Sequence, residues 1–537
     1  MANQLLASVT ALLFLTATVT GQTSTVAGEG LAEDRKDGAA QVTVEQVKAW
    51  IGTLASPAFE GRGTGQEGYR KAAEFMRDYY QSLGLEPAGD GGTFFQKVPW
   101  SATKVDADKT SLQFSLGDKQ VLVPLARLGG NVSKTFAGKG AAVLITTNSA
   151  KAIEKLTLKD KVALLLVGSE DLKTRMGLLV ALQEKGAVAV IFAQRDPVQG
   201  VLQGRPGARG NRAVAGARLA PALVSFGGDD LTALMTMCGL NIDKLSGEST
   251  ELTGVTAELQ ATISELEAPA WNVCARLPGS DKELQKEYVV IGSHLDHLGM
   301  RGEIMYPGAD DDGSGSTGVL AVATMLAKNK VRPARSILFL NFCGEEMGLI
   351  GSRHFADHPT IPLSAIVGEL QMDMIGRNEE ENSEGDKGEK AEDNKNSLHL
   401  VGSKKISMQL HELCMQKNST AKFDLEWDQE GMFSRSDHAN FARMGVPIAF
   451  FFTGLHRDYH KPTDTPDKIE NQKLLRVATY VYDIAFELAQ QAGRPMVDPE
   501  LWEKYRGKGS EQPAAPMSAP NKEASGAAKD EAKAAGK

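Results

Sequence analysis

The feature that most constrains this chain is a set of four short, almost wholly apolar runs in its second half, at residues 288–292, 336–342, 365–372 and 447–452. A strand with one face in water alternates polar and apolar residues. Runs without that alternation suit strands covered on both faces, as in parallel sheets. Helical patterns lie among them, at about 316–328, 407–417 and 471–491. In the last, Leu474, Ala478, Val481, Ala485 and Leu488 recur on one face. The expected fold class is therefore α/β, with helices on both sides of a mainly parallel sheet.

Acids and histidines stand where these runs end, and ligand sites in open α/β sheets gather at that edge. The first run closes on Ser293-His294-Leu295-Asp296-His297. Residues i and i+2 of an extended chain share a face, so His294 and Asp296 can act together. Asp310-Asp311-Asp312 precede a helical stretch, and three adjacent carboxylates want a cation or protons to stay compact. The second run ends in Cys343-Gly344-Glu345-Glu346, the third in Asp373, and the fourth leads to Asp458-Tyr459-His460. Each element alone also fits a solvated strand end, a capping turn or, for the triple Asp, a calcium loop, although it lacks EF-hand spacing. Together they offer a mixed His/carboxylate set that suits zinc, with Co²⁺ or Mn²⁺ as substitutes. Carboxylates outnumber histidines and one can bridge, so two metals fit the set.

The 537 residues allow two or three domains, and 42% hydrophobic with 24% charged residues is ordinary globular composition. A net charge of −9 and no basic segment argue against a nucleic-acid partner. Four widely spaced cysteines exclude a disulfide scaffold and a thiolate zinc finger, leaving room for one disulfide. Residues 5–21 read as the apolar core of a secretory signal, short for a spanning helix. The expectation is a secreted or periplasmic protein cleaved near Gln22, with an uncleaved anchor as the alternative. Residues 22–40 read as a linker. A capping box at Thr43 and Gln46 opens a helix, and a second runs from about 66 to 83, stopped by Gly84. Residues 106–265 have a different texture, with β-rich runs at 142–146, 162–167, 187–192 and 223–226. They read as a separate β-rich module. Residues 378–396 carry almost no apolar side chain and read as an acidic mobile loop, and 507–537 as a disordered tail.

The segments SHLDHLG, GADDDGSG, GEEMGLIGS, MDMIG and DYHKPTDTPDKI, in this order, resemble the motif series of the family-28 zinc aminopeptidases. GRGTG near 61 and RSDHANF near 435 resemble family segments too, and the β-rich module resembles a protease-associated domain. The resemblance covers about 43–490 apart from the acidic insertion. It implies a three-layer α/β/α zinc-exopeptidase domain made of 41–105 and 266–495, with the protease-associated domain inserted at 106–265.

The resemblance also implies roles. His294 and Asp373 would bind one zinc, Glu346 and His460 the other, and Asp311 would bridge them. Asp296 would orient His294, Glu345 would be the general base, and Tyr459 would help stabilise an oxyanion. The Asp311–Asp312 bond would be cis. Asp310 departs from the family's frequent Asn. The implied activity is a two-zinc aminopeptidase acting on peptides or proteins with a free N-terminus, and no stable membrane partner is expected. The rivals are a carboxypeptidase on the same fold, with Arg62, Arg301, Arg377 and Arg435 available for a substrate carboxylate, and an inactive peptide-binding homologue. Oligomeric state, side-chain preference and natural substrate stay open.

Overall fold

The computed structural model describes residues 30–506 apart from 169–171, 199–201, 205–206, 209–221, 246–247 and 385–386. The signal and tail expectations lie outside the described residues.

The main sheet is built on β1 (Trp271–Leu277), β2 (Tyr288–His294), β3 (Ser336–Phe342), β4 (Ile366–Met372), β5 (Ser397–Val401) and β6 (Ile448–Phe452). Their spatial order is β1-β3-β2-β4-β6-β5, with short strands added at both edges. The four apolar runs are the four central strands, and they run parallel to one another. Among these six strands, β1 against β3 and β5 against β6 are antiparallel. All four central strands thus end on one edge.

Their continuous apolarity follows from two cores. Val289, Ile291, Ile337, Phe339, Ala449 and Phe451 face one, while Val290, Leu338, Leu340, Phe342, Phe450 and Phe452 face the other. The first core is closed by α1 (Glu33–Ala39), α2 (Val44–Leu54), α3 (Glu67–Ser82), α4 (Gly313–Lys328), α5 (Met408–Ala421) and α6 (Asn471–Gln490). Phe355 and Phe441, on two short helices, close the second. The capping box of α2 forms as read: Gln46 N–H donates to Thr43 Oγ1 and Thr43 N–H to Gln46 Oε1. Gly84, at φ 73°, follows the end of α3.

The β-rich module forms a second nine-stranded sheet with its own cores. Its four expected runs overlap Phe136–Ile145, Lys161–Val167, Ala189–Gln194 and Ala222–Gly227, paired parallel in that sequence, with one or two residues of the first and third falling outside the strands. Strands Trp100–Val105 and Ile263–Glu267 pair antiparallel, so the chain enters and leaves this unit side by side. That is the topology of an insertion.

Two expectations need correction. Residues 33–39 of the expected linker are helix α1. Their sequence carries no clear apolar stripe, and charge fixes them instead: Arg35 is 4% exposed and donates to Asp483 at 2.6 Å and Glu487 at 3.1 Å on α6. The acidic run is likewise more built than its composition suggests. Asn378, Glu379, Glu380 and Asn394 are buried, and Lys473 Nζ donates to Asn378 Oδ1 and the Asn394 carbonyl. None of the four cysteines is bonded to another, and among the described residues no helix is long and apolar enough to cross a membrane.

Arg35→Ala strands Asp483 without its closest cation, although Lys417 stays 3.5 Å away. The expected cost is about 2–4 kcal/mol, somewhat below that of breaking an isolated buried pair. It would be read as a lower urea midpoint at unchanged slope. An unchanged midpoint would mean that α1 adds nothing to the fold.

Candidate metal centre

Five chain segments meet at the C-terminal edge of the main sheet. His294 is the last residue of β2. Its Nε2 lies 3.3 Å from Asp311 Oδ1 and 3.5 Å from Asp373 Oδ1. Asp373 directly follows β4. On the other side of Asp311, Oδ2 lies 3.1 Å from His460 Nε2, and Glu346 Oε2 lies 3.2 Å from the same nitrogen. The structure therefore brings together all five residues expected to bind metal, with Asp311 in the middle. The Asp311–Asp312 peptide bond is cis.

The neighbouring acids hold the frame. Asp312 caps α4: its Oδ1 accepts from Gly315 N–H and Met374 N–H, and its Oδ2 from His294 N–H. Asp310 Oδ1 accepts from Gly376 N–H at 2.7 Å. Asp464, from the DYHKPTD segment, accepts from the backbone N–H of both Asp310 and Asp311. Arg62, fully buried, donates to the carbonyls of Leu54, Leu295, Pro307 and Gly308. This explains GRGTG as a brace under the acid turns. Sequence reading gave Arg62 and Asp464 no such role, because both act on distant backbone.

The turn after β3 is held in the same way. Cys343 N–H donates to Asn272 Oδ1, Gly344 N–H to Thr64 Oγ1, and Glu345 N–H to Asp296 Oδ1. Gly344 has φ 64°, and a Cβ there would lie 2.1 Å from Ile350. Asp296 differs from its expected role. Its backbone carbonyl, not its carboxylate, meets His294 Nδ1 at 3.0 Å, while the carboxylate stands 3.8 Å off and holds the Glu345 backbone. Tyr459 stacks on His460, with ring centroids 3.8 Å apart, and its hydroxyl accepts from Arg435 at 3.2 Å.

Electrostatics sort these groups. Burial opposes ionisation of Asp311, but His297, His294 and His460 outweigh it and hold its carboxyl well below the usual range. Burial and the Asp311 charge push Glu346 up, yet His297 and His460 bring it below its ordinary value. Burial pushes Glu345 well above the carboxylate range, despite the pull of His294. Asp296 is pushed up to about 6, again chiefly by burial. His460 is raised to about 10 by Asp311 and Glu346, against the effect of burial.

The donor set fits a divalent metal. Asp311 Oδ2, Glu346 Oε1 and both ring nitrogens of His297 are buried without a hydrogen-bond partner. His294, Asp311 and Asp373 offer ligand atoms within 4.8 Å of one another, and so do His297, Asp311 and Glu346. His297 was not singled out from sequence, where its only signal is its place in SHLDHLG. A third group of the same kind, Glu379, His399 and Glu426, lies apart from these. No sequence pattern announces it, because it unites three distant segments.

A model of peptidase family M28 matches residues 272–485, the span that contains every strand end described above. Over these residues the chain is similar to peptidase family M28. A probable leucine aminopeptidase of Arthroderma otae is 30% identical over 251 residues, covering 44% of this chain and 64% of that protein. Aminopeptidase YwaD of Bacillus subtilis is 28% identical over 197 residues, covering 35% of this chain and 39% of that protein. The match thus spans 64% of one of these curated relatives and 39% of the other. Among solved structures, an aminopeptidase from Aneurinibacillus sp. strain AM-1 has a similar fold, with TM-score 0.52 and 21% identity, covering 87% of this chain and 98% of that one. A zinc aminopeptidase from Bacillus subtilis has TM-score 0.52 and 18% identity, covering 84% and 97%. This domain has the α/β fold expected from sequence.

The four arginines available for a substrate carboxylate all have other partners. Arg62 is the buried brace, and Arg377 pairs with Asp458 and Glu380. Arg435 pairs with Glu384 and Tyr459, and Arg301 lies over the Tyr306 ring. Burial works against ionisation of Asp458, but Lys468, Thr463 and Arg377 hold its pKa down at about 2. With its folded pKa below an unfolded value near 3.9, its stabilisation is complete above about pH 5 and fades as pH falls toward 2. In Asp458→Asn that part of the acid dependence should vanish. Chemical denaturation of both proteins from pH 6 to 2 would check it: a stability gap that stays constant over that range would remove Asp458 from the acid limb.

Proposed function

We propose that this chain is a two-zinc aminopeptidase that removes N-terminal residues from peptides or proteins. The observation that carries the reading is the position of Asp311. One of its oxygens faces His294 and Asp373, while the other faces Glu346 and His460. Zinc bound there supplies Lewis acidity: it acidifies water and polarises a carbonyl.

The chain's own residues do the rest. His294 and Asp373 would hold one ion, Glu346 and His460 the other, and Asp311 would touch both. Glu345 takes a proton from the attacking water and later delivers it to the leaving amine. Its placement supports that role: its backbone is fixed by Asp296, and burial favours its protonated form more than that of an ordinary carboxylate. The Tyr459 hydroxyl, steadied by Arg435, would help stabilise the oxyanion. The names of the relatives favour a free-amine substrate, and the four committed arginines speak against a carboxypeptidase. The inserted unit fits a protease-associated domain, and residues 1–21 fit a signal for export.

Glu345→Gln should leave zinc content unchanged and lower kcat by about 10²–10⁴-fold. Near-normal turnover would remove Glu345 as the base. The broader test is release from aminoacyl-anilides and from amino-blocked peptides, with chelator and after zinc is restored. Chelator-sensitive release from free-amine substrates alone is expected. Activity on blocked peptides with a free carboxylate would overturn the aminopeptidase reading.

A further inference from the structure

His297 has no place in that reading, yet it is one of the best-enclosed side chains at the site, with no exposed surface. Its Nδ1 lies 2.7 Å from Glu346 Oε1 and 3.6 Å from Asp311 Oδ2. Close as these oxygens are, neither ring nitrogen makes a well-aligned hydrogen bond among the described residues. The opposite oxygen of the same carboxylate, Glu346 Oε2, faces His460 Nε2. The two imidazoles lie at a steep angle, with ring centroids 5.9 Å apart. They differ in setting. The His460 side chain is 38% exposed and sits at the rim, whereas His297 is behind the carboxylate.

His297 is also fixed from below. Its N–H donates to the Arg62 carbonyl, and its ring packs where a Cβ on Gly308 would lie 2.4 Å away. The brace that supports the acid turn therefore also sets the imidazole. A carboxylate that ligates through one oxygen is free to rotate unless the other is held, and groups that hold ligating side chains set metal affinity.

We propose that His297 is a positioning residue for Glu346. With the two atoms 2.7 Å apart, a small turn of the ring aligns Nδ1–H on Oε1, which keeps Oε2 on the side shared with Asp311 and His460. Either protonation state of the ring can carry that hydrogen. The role is distinct from that of the five residues assigned above, and it rests on the two-metal reading.

The test measures zinc binding by competition with a chromophoric chelator, using the whole chain and no turnover. Wild type should bind two equivalents; if it does not, the two-metal reading fails by itself. In His297→Ala the weaker equivalent should bind about 10–100-fold less tightly while the other is unchanged. The unchanged equivalent also reports that the variant is folded. His297→Asn places an amide N–H near the position of Nδ1 and should recover most of the affinity. Where turnover can be measured at limiting zinc, added zinc should restore kcat in His297→Ala with little change in KM. Equal affinities in wild type and His297→Ala would overturn the proposal. So would equal losses in the Ala and Asn variants, because the imidazole would then be a ligand itself. Loss of both equivalents would overturn it too, by showing that His297 supports the whole edge.

Discussion

Mutual repulsion among carboxylates is the constraint around which this structure is organised. Asp296, Asp310, Asp311, Asp312, Glu345, Glu346, Asp373 and Asp464 converge on one edge of one sheet, all but Glu345 and Glu346 less than a tenth exposed. In a low-dielectric setting such a group cannot stay ionised and compact without compensation. The compensation is divided. Backbone N–H groups bond Asp310 Oδ1, Asp312 and Asp464, His456 faces Asp310 Oδ2, and Arg62 supplies a buried cation bonded to carbonyls beside them. Asp311, Glu346 and Asp373 are left facing imidazoles, and it is here that the geometry calls for a metal. Structural and chemical carboxylates differ not in residue type but in whether a backbone N–H reaches them.

The same division explains how adjacent acids acquire different jobs. Glu345 and Glu346 are neighbours on one turn, and their backbone is clamped by Asn272, Thr64 and Asp296. The preceding Gly344 takes a left-handed conformation, so the chain turns sharply as it leaves β3. Glu346 then meets two imidazoles, while Glu345 lies among acids. Burial pushes both up; like charges add to it at Glu345, while His297 and His460 outweigh it at Glu346. Two consecutive glutamates thus acquire opposite electrostatics because the turn sends them into different surroundings.

The four central strands and the helices after them were legible in sequence, because each depends on local pattern, and motif order pointed to the residues that meet at the strand ends. An apolar run ending in His294 or Asp373 announces both a buried strand and what stands at its end. The roles of Asp296 and His297 were harder to read. Both occupy SHLDHLG, but the carboxylate of Asp296 serves the Glu345 backbone, 49 residues away. His297 addresses Glu346 at a similar separation. Arg62 and Asp464 escaped for the same reason, since their partners are main-chain atoms with no sequence signature.

The acidic run at 378–396 shows where compositional reasoning loses its force. A polar segment cannot collapse by burying apolar surface, so on composition alone it should stay unfolded. Here the cations and hydrogen-bond donors come from elsewhere. Lys473 reaches from α6, Arg457 pairs with Glu380, and His399 in β5 lies between Glu379 and Asp428. Arg435 meets Glu384 with one nitrogen and the Tyr459 hydroxyl with another. The run is thus tied by charge to the rim of the metal centre, through the residue that touches Tyr459. Charge pairing of this kind does what an apolar stripe does elsewhere in the fold, and it leaves no periodic trace in the sequence.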